Sequence, residues 1–206
     1  TVPHKRAATD LVNELTPRAQ VADAVNTIIR VDERLIGDNT DGAGLISDLT
    51  RNLKLDFSAP RILLLGAGGA ARGALGPLLE LKPRLLVVAN RSEERAIEIA
   101  EDFAYLGPVS GCEFAKLENQ RFDLIVNATS ASLRGDVPAI PAGVVDSMTT
   151  CYDMAYGSGE TAFVTWAKAR GAGRAEQGWG MLVEQAAEAF FLWRGVRPDT
   201  EPVLRA

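Results

Sequence analysis

The sequence predicts an α/β protein built on a doubly wound parallel sheet, with part of a smaller α/β domain attached. Three observations predict it. RILLL at 61–65 and LLVVAN at 85–90 are continuous apolar runs, as expected of parallel strands buried on both faces. A glycine-rich turn follows the first run at 66–69. From Arg61 onward, strand-like runs alternate with helix-like stripes, the rhythm of a parallel sheet with crossover helices.

Thr16 followed by Pro17 reads as an N-cap with proline at the first helical position. VNTIIRV (25–31), a tight turn at Asp32–Glu33 and RLIGDN (34–39) read as a hairpin. Pairing around that turn sets Asn26 opposite Asn39 and leaves Asp41 just past the same end. Asn26 and Asp41 are therefore expected at one rim. Leu45, Leu49 and Leu53, at i, i+4 and i+8, predict a helix there. LKLDFSAP (53–60) is polar and ends in proline, and it marks a domain boundary. A helix is expected between 66 and 85, although Pro77 inside it predicts a kink or an early stop. After Ser92, an N-cap candidate, Ala96, Ile99, Ala100 and Phe103 form an amphipathic stripe. FDLIVNATS (122–130) and TTCYDMAY (149–156) read as strands ending in loops. A helix over 160–170 should stop at Gly171, and a last one over 180–195 at Gly195 and Pro198. The expected domains are 1–59, 60–177, and a final segment 178–206 that returns to the first.

Composition narrows the function classes. The 206 residues carry 22 Lys plus Arg against 27 Asp plus Glu, a net charge of −5. That balance argues against nucleic acid as a partner, which would need a basic face. One His and two well-separated Cys, Cys112 and Cys151, leave no His cluster and no CxxC pair, so no metal site is expected. The longest uncharged runs are 10 residues, too short to span a bilayer. With no export signal apparent and no disulfide framework, the expected location is the cytoplasm.

Gly66-Ala67-Gly68-Gly69-Ala70-Ala71 fits G-x-G-x-x-A after a strand and before a helix. The first glycine permits the tight turn, the second lets the backbone approach a pyrophosphate, and the small last residue lets helix and strand pack closely. Free N–H groups at the helix N-terminus then meet the phosphates. Alone, such a loop is also an ordinary flexible turn. The end of the next strand adds a second signal. Asn90-Arg91-Ser92 carries no acid to hold a ribose 2′-hydroxyl, and Arg95 follows one helical turn later. Two guanidiniums there suit a 2′-phosphate, favouring NADP over NAD. The bland alternative is a solvated face balanced by Glu93 and Glu94. Together the two signals point to a Rossmann-like NADP(H)-binding domain.

Eight ordered blocks resemble the shikimate dehydrogenase family. They are Thr1-Val2-Pro3-His4-Lys5, Ala24-Val25-Asn26-Thr27, Gly37-Asp38-Asn39-Thr40-Asp41-Gly42, the glycine loop, Asn90-Arg91-Ser92, Asn127-Ala128-Thr129-Ser130, Tyr152-Asp153-Met154-Ala155-Tyr156 and Gly180-Met181-Leu182-Val183-Glu184-Gln185-Ala186-Ala187. The resemblance implies NADPH-dependent reversible reduction of 3-dehydroshikimate to shikimate, a step of aromatic amino-acid biosynthesis. It implies Lys5 and Asp41 as the catalytic pair, and Thr1, Asn26, Tyr156 and Gln185 as anchors for substrate hydroxyls. Besides the glycine loop, Asn90, Arg91, Ser92 and Arg95, it implies Thr129, Met154, Gly178 and Met181 around the cofactor. Hydride addition to a ketone leaves an alkoxide, so a cation that is also a proton donor suits that oxygen. Read alone, Lys5 is a surface lysine, Asp41 a helix N-cap, Asn26 a strand-edge residue, Gln185 a solvated helix position and Tyr156 a core aromatic.

The chain departs from the family's pattern in three places. Ser132 stands where the family has glycine, which predicts a shifted loop near the cofactor. Trp179 replaces a smaller apolar residue. About sixty residues that precede the first block in the family, with a Ser-x-Ser pair for the substrate carboxylate, are not in this sequence. The expectation is therefore an enzyme chain lacking that segment. The alternatives are an NADP-binding fragment of little turnover, or a quinate/shikimate relative. A monomer or homodimer is expected.

Overall fold

The hairpin expected at 25–39 forms around a two-residue turn in which Asp32 takes a φ of 53°. The computed structural model describes residues 4–56 and 58–205, apart from the side chain of Leu133. These residues fall into two compact units. The first contains residues 4–56, 72–77 and 180–205, and the second contains 58–71 and 78–179.

In the first unit, β1 (Glu14–Leu15), β2 (Thr27–Val31) and β3 (Arg34–Asp38) form a sheet in the order β1-β3-β2. β2 and β3 are antiparallel, with Val31 opposite Arg34 and Thr27 opposite Asp38. β1 adds parallel to β3. Thr16 caps α1 (Pro17–Ala22) by accepting the Ala19 N–H, and Pro17 holds the first helical position. α2 (Asp41–Ser47) starts directly past the hairpin and buries Leu45 completely. The helix does not run on regularly to Leu53. A π-helical turn, Asp48–Asn52, follows, closed by the Leu53 N–H on the Asp48 carbonyl at 2.9 Å. Leu49 stays buried, but the wider turn also carries the Asp48 side chain inward.

The second unit holds a six-stranded, all-parallel sheet. Its strands are β4 (Arg61–Leu65), β5 (Leu85–Asn90), β6 (Val109–Glu113), β7 (Leu124–Asn127), β8 (Thr150–Asp153) and β9 (Arg174–Gln177). The order is β6-β5-β4-β7-β8-β9, so the chain reverses direction across the sheet at β4. Alternation along the strands sorts the core. Leu63, Leu65, Val87, Ala89, Ile125 and Cys151 join one cluster with Phe163 and Ala167 of α5 (Ala162–Ala169). The intervening Ile62, Leu64, Leu86, Val88, Leu124 and Val126 are equally buried. Both faces are thus covered, as the unbroken apolar runs require.

α3 (Gly69–Glu80) joins β4 to β5, and its residues 72–77 group with the first unit. The early stop expected at Pro77 does not occur, since the helix continues to Glu80. Pro77 lies against Gly42, where a Cβ would come within 2.3 Å of its ring. α4 (Glu93–Phe103) buries the expected Ala96, Ile99, Ala100 and Phe103, and Ser92 caps it. α5 stops at Gly171, with φ 81°.

α6 (Trp179–Arg194) ends at Gly195, and a short α7 (Glu201–Leu204) follows. Within the first unit, α2 and α6 approach closely at Gly44. A Cβ there would lie 2.7 Å from the Gln185 Cβ and the Met181 carbonyl. The Asp48 carboxylate lies against Gly180 in the first turn of α6, where a negative charge meets the positive end of the helix.

Candidate functional site

In the first unit the end of the hairpin and the start of α2 gather a polar cluster. The register that pairs Thr27 with Asp38 brings the Asn26 N–H to the Asp38 carbonyl at 3.0 Å. Asn26 Nδ2 then donates to Asp41 Oδ1 at 2.8 Å and to Gln185 Oε1 at 3.4 Å. Lys5 Nζ donates to the other Asp41 oxygen at 2.5 Å. Asp41 is the first residue of α2 rather than its N-cap, and its carboxylate turns to Lys5 and Asn26. Lys5 keeps 28% of its side chain exposed, so its remaining N–H bonds can reach a ligand. Gln185, carried on α6, is partly buried and not a solvated position.

Thr40 is a member that the sequence reading missed. Its N–H and hydroxyl both donate to Asn26 Oδ1, at 3.0 and 3.1 Å, and its hydroxyl also lies 3.4 Å from Gln185 Oε1. Thr27 donates to the same Asn26 oxygen at 2.8 Å. With three hydrogens on Oδ1, the Asn26 amide has one orientation, NH2 toward Asp41. The signal available in sequence was the position of Thr40, directly beside Asp41.

A second carboxylate supports this cluster from behind. Asp38, 2% exposed, accepts both arms of the Arg18 guanidinium at 2.7 and 2.6 Å, the Thr16 hydroxyl at 2.6 Å and the Asn39 N–H at 2.7 Å. Burial pushes its carboxyl up, but the Arg18 fork, Thr16 and the Arg18 charge outweigh it and hold Asp38 below the usual carboxylate range. The hydrogen bond to Asp38 likewise raises Arg18. Arg18 also reaches Glu188 on α6 at 3.1 Å, and Arg197 pairs with the same carboxylate. Burial works against the Glu188 charge too, yet Arg197 and Arg18 hold it below its ordinary value.

The second unit presents the glycine loop at the carboxyl end of β4. Gly66 takes a φ of 106°, a conformation suited to glycine. A Cβ on it would press on the Ala128 carbonyl at 3.2 Å and on Thr129 Cγ2 at 3.3 Å. Gly68 and Gly69 have open space where a Cβ would sit, and Gly69 begins the twelve-residue α3. Both glycines are exposed and no side chain caps the helix N-terminus, an arrangement in which backbone N–H groups can meet an anion. Ala67 is half-buried and Ala70 exposed. At the end of β5, Asn90 Nδ2 donates to the Ser92 carbonyl at 3.1 Å, while Arg91 and Arg95 are exposed. The two acids that could have balanced them are engaged elsewhere. Glu93 pairs with Lys116 at 2.7 Å, and Glu94 accepts the Ser92 hydroxyl at 2.8 Å.

The remaining expected residues divide between the units. Thr129 lies beside Gly66, and Gly178 lies so close to Met154 that a Cβ would meet its carbonyl at 2.5 Å. Tyr156 is exposed rather than core, sits edge-on to Trp179 at 6.5 Å, and belongs to the second unit. Met181 belongs to the first, one helical turn from Gln185. Thr1 lies outside the described residues. Cys112 and Cys151 are unbridged, and burial raises both thiols, Cys151 to about 12. No group of three or more metal-ligating side chains occurs among the described residues. Nor is any helix among them long and apolar enough to cross a membrane.

Residues 48–135 match the family described as shikimate / quinate 5-dehydrogenase, and residues 178–206 match the shikimate 5'-dehydrogenase C-terminal domain. A shikimate dehydrogenase (NADP(+)) from Hahella chejuensis is 53% identical over 204 residues, covering 99% of this chain and 75% of that protein. Among solved structures, an Ael1 enzyme from Pseudomonas putida is 45% identical with a TM-score of 0.92, covering 100% of this chain and 75% of that one. The shikimate 5-dehydrogenase of Thermus thermophilus, in complex with NADP(H) and shikimate, is 33% identical with a TM-score of 0.83, covering 98% and 74%.

Proposed function

The chain belongs to the shikimate dehydrogenase family, and from that premise we propose that it reduces 3-dehydroshikimate reversibly to shikimate with NADPH, in the shikimate pathway toward aromatic amino acids. The observation that carries the assignment of roles is the Lys5–Asp41 pair, 2.5 Å apart, with Asn26 and Gln185 attached to it.

When bound, NADPH supplies the hydride that adds to the ketone carbon. The residues of the first unit deal with the oxygen. Lys5 hydrogen-bonds to the carbonyl oxygen and draws off the charge that develops there. It then gives that oxygen a proton, so the ketone becomes a hydroxyl and the ammonium a neutral amine. In oxidation the amine takes the proton back. Asp41 holds the Lys5 Nζ in place through their hydrogen bond. Asn26 and Gln185 are the proposed anchors for substrate hydroxyls, with buried Thr40 fixing the Asn26 amide from behind, and Tyr156 and Thr1 are proposed as further anchors.

The second unit suits the cofactor: an open N-terminus of α3 for the diphosphate and two exposed arginines for a 2′-phosphate. Gly66–Ala70, Asn90, Arg91, Ser92, Arg95, Thr129, Met154, Gly178 and Met181 are the proposed contacts. The proposed domains are 1–59 and 178–206 for substrate and 60–177 for cofactor. The chain works in the cytoplasm as a monomer or homodimer, which fractionation and sedimentation would check.

Replacing Lys5 with Ala is the direct test. Turnover should fall by about a hundredfold or more, while NADP+ affinity measured by calorimetry stays within twofold. A variant that keeps most of its turnover would remove Lys5 from the chemistry. Turnover by the unaltered 206-residue chain separates this reading from an NADP-binding module without catalysis.

A further inference from the structure

One buried cluster on the second unit has no role in the scheme above. Asp153 ends β8 and is fully buried. Its Oδ1 accepts Asn127 Nδ2 at 3.1 Å and the Ala155 N–H at 3.1 Å. Its Oδ2 accepts the hydroxyls of Ser132 and Thr161, each at 2.6 Å. Asn127, opposite it across the β7–β8 ladder, is also fully buried.

The chemistry of these groups runs in one direction. A carboxylate only accepts, so the NH2 end of Asn127 must face Asp153. That NH2 also donates to Ser132 Oγ at 3.0 Å. Asn127 Oδ1 is left facing Thr129, and it accepts the Thr129 N–H at 3.1 Å and hydroxyl at 2.8 Å. Thr129 in turn backs onto the turn at Gly66. A chain of polarised bonds therefore leads from Asp153 to the wall of the phosphate loop. Ser132, the residue that stands where the family has glycine, ties its loop to Asp153.

We propose that Asp153, acting with Ser132 through Asn127, is a positioning residue that sets the loop at 128–135 for the nicotinamide half of the cofactor. The proposal rests on the dinucleotide reading of this unit. The sheet supplies the half. The chain reverses at β4, and a dinucleotide straddles that point, one half on each side. β5, with Arg91 at its end, lies on one side, and β7 and β8 lie on the other.

The test compares two ligands on the whole chain by calorimetry: NADP+, and adenosine 2′,5′-bisphosphate, which lacks the nicotinamide half. Ser132→Ala removes one donor to Asp153. Asp153→Asn puts an NH2 where one carboxylate oxygen stood, so either the two hydroxyls or the Asn127 NH2 and Ala155 N–H lose their acceptor. Each should raise the Kd for NADP+ about fivefold and leave that for the bisphosphate within twofold. In turnover, KM for the cofactor should rise while KM for shikimate holds. Equal weakening of both ligands would reduce the cluster to a structural role and overturn the proposal, as would an unchanged NADP+ Kd in either folded variant. If Asp153→Asn gives no cooperative melt, Ser132→Ala decides alone. If the unaltered chain binds neither ligand, the cofactor reading itself falls.

Discussion

Asp38 and Asp41 stand three residues apart and are held for different purposes. Asp38 is saturated by Arg18, Thr16 and the Asn39 N–H, and it braces the end of β3. Asp41 holds a lysine that keeps part of its surface open. The two should separate in experiment. Asp38→Asn should lower stability by about 2 kcal/mol, less than a fully buried pair because Arg18 is partly exposed. The folded Asp38 pKa lies below its unfolded value, roughly 3.9. Its contribution is therefore full above that value and disappears as pH falls through the folded pKa. The melting-temperature gap between parent and variant should hold from pH 7 to about 5 and narrow progressively once pH falls below about 4. A gap that does not change as pH falls toward acid unfolding would count against this assignment.

At the scale of elements, the contact of α2 with α6 places Gln185 beside Asn26 and Thr40. It depends on Gly44, where a methyl group would meet backbone at 2.7 Å. Gly44→Ala should cost about 1–3 kcal/mol by overpacking and weaken substrate binding through Gln185, with NADP+ affinity unchanged in titration. Sequence reading reached much at this scale. The runs at 61–65 and 85–90 announced buried parallel strands, and the hairpin placed Asn26 near Asp41. β9, whose RAEQ is half-exposed at the sheet edge, has no apolar run to announce it. β1 is two residues long. The π-helical turn was invisible because Leu45 and Leu49 keep helical spacing on either side of its start. Asp153, Ser132 and Thr161 are far apart along the chain, and only the ends of β7 and β8 bring them together.

At the scale of the whole molecule, the two ligands should leave separate marks. NADP+ alone should slow hydrogen exchange in residues 58–71 and 78–179, and shikimate alone in 4–56 and 180–205, since each ligand stabilises what it binds. Protection by NADP+ confined to residues 4–56 would reverse the assignment of units. The sequence suggested a boundary at 53–60 because the pattern changes there. It could not show that the middle of α3 groups with the first unit, which depends on the fit of Pro77 against Gly42.

The first unit is made from segments that precede and follow the parallel sheet in sequence, and this governs the order in which its parts can assemble. Synthesis runs from the N-terminus, and domains tend to fold as they emerge. All six strands of the parallel sheet leave the ribosome before α6 is complete. The hairpin and α2 must wait through that interval with the face around Gly44 uncovered. Closing a contact over more than a hundred residues is slow. The nascent chain is therefore most exposed to aggregation at the unit that holds Lys5 and Asp41, and α6, made after the whole parallel sheet, is the helix that ends that exposure.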